Sequence, residues 1–198
     1  MNKPRVVLPG ILVGVIALAL AVALGVLLPK ANGSTGDLSL PDTLPGGYVA
    51  ADLRTAYEGL SSTTDEQKAA YATQQVNAKN FAAKSYDEVG VSGVARNYLT
   101  KDGQGFVAVQ LIRAEGGVLS PYLFADPATA EPGSSVDRLL KAGDATCIET
   151  GAADGAGSVQ QSMIRCQIAE HGLTLQVTTQ APLASVEKII DDIWHKVA

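Results

Sequence analysis

The side chains with chemical reach are few: two histidines, His171 and His195, two cysteines, Cys147 and Cys166, and scattered carboxylates. A metal site needs several converging ligands, and the chain has neither H-E-x-x-H nor a histidine pair. His171 is expected in a solvated turn, and His195, next to Trp194, at the surface end of a helix. Gly90-Val91-Ser92-Gly93 lacks the final glycine of a nucleophile elbow and precedes a strand rather than a helix. Gly151-Ala152-Ala153-Asp154-Gly155-Ala156-Gly157 is glycine-rich like a phosphate loop, but no Lys-Ser/Thr follows and Asp154 would repel phosphate. The sequence therefore specifies no cofactor and no metal, and it reads as non-enzymatic. The alternative is a hydrolase using a carboxylate such as Asp126 or Glu149, which requires titratable groups to converge in a pocket.

Cys147 and Cys166 are too close in sequence for a zinc ribbon, and no C-x-x-C is present. In an oxidising compartment such a pair is a structural disulfide. Antiparallel pairing of two strands through the 150–159 loop can place Cys147 opposite Cys166. A cross-link closing a loop of this size contributes about 3 kcal/mol. The remaining candidates are Tyr122 and Phe124 in Ser120-Pro121-Tyr122-Leu123-Phe124-Ala125-Asp126-Pro127. They lie in a long connection, 116–133, where binding residues often reside. Against this, isolated loop aromatics usually pack, here over the edge of a sheet.

What must position these residues begins with residues 6–28, VVLPGILVGVIALALAVALGVLL, which carry no charged or hydrogen-bonding side chain. As a helix they reach about 34 Å, enough to cross a bilayer. Lys3 and Arg5 precede them, which puts the N-terminus on the cytoplasmic side. The run is longer than the core of a cleaved signal and ends without an A-x-A site, so it reads as an uncleaved signal anchor. Gly10, Gly14, Ala17 and Ala21, with Gly25 nearby, share one face and offer a surface for helix association. The expected organisation is a cytoplasmic tail, 1–5, a transmembrane helix, 6–28, a flexible Pro/Gly/Ser linker, 29–47, and an extracytoplasmic domain, 48–198.

That domain is acidic, since the chain carries a net charge of −5 even with Lys3 and Arg5 included. It has no basic cluster, which argues against nucleic acid. Its expected class is α+β: a five-stranded, mainly antiparallel sheet packed with helices. A short helix is expected within 48–60. A second starts from the capping-box pattern Thr63-Thr64-Asp65-Glu66 and runs to about Tyr86, with Val76, Ala78, Phe81, Ala82 and Tyr86 as its apolar face. Val94–Leu99 and Phe106–Arg113 flank an Asp-Gly turn as a hairpin, the second strand apolar on both faces and so central. Val136–Ala142 is expected to add a helical turn or two. Three strands follow, at 144–149, 160–169 and 173–180. A terminal helix, 185–197, should dock on the sheet through Val186, Ile189, Ile190, Ile193, Trp194 and Val197.

The stretches DTLPGGYVAADL, VSGVARNY, GDATCIETG and LTLQVTTQAPLASVEKIIDDIW resemble small single-pass envelope proteins of actinobacteria. The shared motifs are structural and carry no functional residues across. The architecture is also similar to the PsbP/Mog1-like folds of some exported binding domains, a likeness of fold alone. The resemblance implies a membrane-anchored extracytoplasmic protein; the expected function is a non-enzymatic binding or accessory module of the envelope, with a scaffold subunit of a membrane complex as the alternative beside the hydrolase. Its expected partners are the lipid bilayer, through the N-terminal helix, and a second copy or another membrane protein.

Overall fold

The computed structural model describes residues 38–117, 119–121 and 125–197. The expected transmembrane helix, with its face of Gly10, Gly14, Ala17, Ala21 and Gly25, lies outside the described residues, as do Tyr122 and Phe124. No helix among the described residues is long and apolar enough to cross a membrane.

The elements run β1 (Thr43–Leu44), β2 (Tyr48–Ala50), a 3-10 turn (Arg54–Tyr57), α1 (Asp65–Glu88), β3 (Ser92–Thr100) and β4 (Phe106–Arg113). They continue with β5 (Ser135–Ala142), β6 (Ala145–Ala153), β7 (Val159–Glu170), β8 (Leu173–Thr179) and α2 (Leu183–Val197). The strands of the described residues join one antiparallel sheet of eight, in the order β1-β2-β3-β4-β8-β7-β6-β5. The five-stranded expectation is corrected by this count. Strands stand at the five expected places, as β3, β4, β6, β7 and β8, and three more extend the sheet at its two edges.

The extra strands have a physical reason. Val136, Leu139 and Leu140 have helical spacing, but the ladder from Ser135↔Ala152 to Ala142↔Ala145 holds them as a strand. In the stretch expected to be linker, Leu40 and Leu44 are buried and Thr43–Leu44 pairs with β2, so tertiary burial overrides a turn-forming composition. The short helix expected within 48–60 is a strand followed by the 3-10 turn.

One face of the sheet carries the core. Val107, Val109 and Leu111 alternate inward on β4, as do Leu175 and Val177 on β8 and Ile164, Cys166 and Ile168 on β7. Onto them packs α2, whose Val186, Ile189, Ile190 and Ile193 are buried, with Trp194 and Val197 partly so. The disulfide Cys147–Cys166 forms at directly paired positions of β6 and β7, within this core.

On the opposite face α1 lies over β3. Its capping box is one residue later than expected: Gln67 N–H donates to Thr64 Oγ1 at 3.3 Å and Thr64 N–H to Gln67 Oε1 at 2.9 Å. Its docking is mostly polar. Asn97 donates to Gln75, the Tyr86 hydroxyl to Gln110, and Lys79 pairs with Asp52. Only Ala72 is buried in this helix, and Phe81, expected on the apolar face, is 70% exposed. Gly93 is what lets Tyr86 approach, because a Cβ there would stand 2.7 Å from the Tyr86 ring.

Candidate functional site

Among the described residues a cluster of ion pairs centres on Arg96, which shares the inward side of β3 with Tyr98. An apolar strand face tolerates a cation only if it is paired and hydrogen-bonded. Here Nε reaches Asp52 Oδ1 at 2.7 Å and Nη2 reaches Oδ2 at 3.1 Å. Nη1 donates to the carbonyls of Leu40 and Pro41, both at 2.9 Å, and pairs with Asp42. Burial pushes the Asp52 carboxyl up and the Arg96 guanidinium down. The charges and hydrogen bonds they exchange outweigh it, with help from Lys79 and Asp42, so Asp52 lies below the usual carboxylate range and Arg96 above its own value. Beside this cluster a cavity of about 190 Å³ opens between small side chains, Ala78 and Ala82 of α1 and Ala95 of β3. The donors of Arg96 are committed to the segment 40–52. The cluster is a clasp that fastens that segment to the sheet.

The second site lies on the face opposite α2, across β5 to β8. Strand register places Leu139, Ile148, Arg165 and Thr178 in one cross-strand row, and Asp137, Thr150 and Met163 in the next. Directly paired side chains in such rows stand about 5 Å apart. All of these but Leu139 line a groove of about 330 Å³, which also takes in Ser135. Ile148 is a buried floor, Met163 a half-exposed rim, and Asp137 a buried acceptor that receives the Thr150 hydroxyl at 2.7 Å. Arg165 is exposed, and no described carboxylate pairs with it. The connection after β4 borders this face: Gly116 lies against Thr174 and Ala169, and Gln167 donates to the Gly117 carbonyl. An apolar floor with a few converging polar groups is the usual chemistry of a small-ligand site. Here the groups are a guanidinium at one end and hydroxyls with a carboxylate at the other.

The other chemical candidates are dispersed. His171, with φ of 53°, and Gly172 form the two-residue turn between β7 and β8, and His171 is exposed. His195 is exposed in the last turn of α2. Glu149 is buried in an ion pair with Arg138, and Asp126 accepts the Ala128 N–H of its own turn. In the glycine-rich loop, Asp154 accepts the N–H groups of Ala156 and Ser158. Its own carboxylate thus occupies the donors a phosphate would need. Among the described residues no group of three or more His, Cys, Asp or Glu could hold a metal.

Sequence reasoning missed both the clasp and the groove. Arg96 had a signal, since it falls two residues before Tyr98 on an inward-facing alternation. Arg165 is outward by its place between Ile164 and Cys166, but its neighbours follow only from the register of four strands. No protein-family model, curated protein or solved structure matches this chain.

Proposed function

We propose that this chain is a non-enzymatic binding or accessory module of the cell envelope, held at the outer face of the membrane by residues 6–28. The observation that carries the binding reading is the groove, in which Arg165, exposed and without a carboxylate partner among the described residues, stands beside the buried Ile148. It suits a small ligand with an anionic group at Arg165 and an apolar part over Ile148 and Met163. The location rests on the apolar segment, on the disulfide, which forms and persists in oxidising compartments, and on the resemblance to single-pass envelope proteins. A hydrolase finds less support, because Glu149 and Asp126 are each engaged by local partners.

Octanoate, a carboxylate with an apolar chain, tests the binding. Residues 38–198 draw their core from within themselves, from Leu40 to Ile193, and serve as the sample. Saturable shifts of the amides of Ile148, Met163, Arg165 and Thr178 in heteronuclear NMR are expected. Shifts scattered over the surface without saturation would contradict the reading.

A further inference from the structure

We propose that two copies of this chain pair edge to edge through β5, about a two-fold axis at Leu139. Among the described residues no strand pairs with the outer side of β5, whereas the opposite edge of the sheet is the two-residue β1. Ala153 N–H donates to the Ser134 carbonyl, and the β5–β6 register runs on without a shift. Even-numbered residues of β5 therefore turn their backbone groups toward β6, and Ser135, Asp137, Leu139 and Lys141 turn theirs outward. An open edge of this kind is a template for another strand.

The charges select the occupant and the register. Leu139 is 45% exposed, and Lys141, also exposed, has no partner among the described residues. With the axis at Leu139, Leu139 meets its counterpart, and Lys141 of each copy comes opposite Asp137 of the other, a carboxylate that is buried within its own copy and also accepts the Thr150 hydroxyl. An axis at Asp137 would oppose two carboxylates, and one at Lys141 two ammonium groups; one at Leu140 would bring no unlike charges together. Unlike charges directly across an antiparallel pair are favourable and like charges unfavourable. Of these axes only the one at Leu139 brings unlike charges together. Because Leu139 shares a cross-strand row with Ile148 and Arg165, the grooves of the two copies would adjoin across the axis. The pairing stands whether or not the groove binds a ligand.

The test uses the full chain in its membrane, carrying Leu139→Cys and treated with a short bis-maleimide. A covalent dimer is expected. Ser135→Cys should give none, because the two copies of that position would stand about 27 Å apart. Adding Lys141→Asp to Leu139→Cys sets carboxylate against carboxylate and should abolish the dimer. Light scattering of the detergent-solubilised chain, unaltered and with Lys141→Asp alone, reads the same loss without an added cysteine. No dimer from Leu139→Cys, equal yield from Ser135→Cys, or persistence with Lys141→Asp would overturn the proposal. So would an adduct with a different protein, which would make a foreign strand the occupant.

Discussion

Arg96 illustrates how a single residue can organise a segment whose composition argues for disorder. Its donors hold Leu40, Pro41, Asp42 and Asp52 together on the sheet, and Lys79 adds a second cation to Asp52. Removing one partner of a buried pair leaves an uncompensated charge, so Arg96→Met should cost about 3–5 kcal/mol in urea denaturation. The pH dependence has a definite sign. Asp52 titrates below its unfolded value, so its contribution is full at neutral pH. It is lost as the pH falls below about 4, where the unfolded chain takes up a proton that the folded one refuses. Asp52→Asn should flatten that acid limb in a series of melting temperatures between pH 7 and pH 3. The clasp was half legible in the sequence: alternation puts Arg96 inward, but its acceptors come from 40–42, which reads as linker, and from Asp52, in a stretch that reads as a short helix.

The two helices differ in what holds them. The apolar stripe of α2 was plain in the sequence and became the lid of the core, so Ile189→Ala should cost about 2–5 kcal/mol. α1 has good capping and composition, but its docking rests on polar pairs and on the fit of Tyr86 against Gly93. Elements with little buried apolar surface open before the core does. Hydrogen exchange should therefore find the amides of α1 less protected than those of β4 and β8. Gly93→Ala should widen that gap by displacing Tyr86, and equal protection of α1 and the central strands would contradict this ranking. The central hairpin, the His171-Gly172 turn and the terminal strands were readable from turn chemistry and two-residue alternation. β5 was not, because Val136, Leu139 and Leu140 fit a helical spacing as well as an edge strand, and only the ladder to β6 decides between them.

In the molecule as a whole, the core face and its opposite have different tasks. The core face is closed by α2 and tied by Cys147–Cys166, whose sequence separation is 19. Reduction should lower stability by about 3 kcal/mol in a denaturant titration with and without dithiothreitol. The other face carries the groove, stiffened from behind by that disulfide and floored by Ile148. Strand order and register created this site, which is why no short motif announced it. In the proposed function, Arg165 recognises the anionic end of a ligand in this groove. The most direct test is octanoate titration of residues 38–198 against the same fragment carrying Arg165→Gln, each checked for an unchanged melting temperature. Saturable binding by the unaltered fragment is expected, with a loss of affinity of about tenfold or more in the variant, the scale of one charge-assisted hydrogen-bonded pair. Equal affinity in both, or no saturable binding by either, would contradict it.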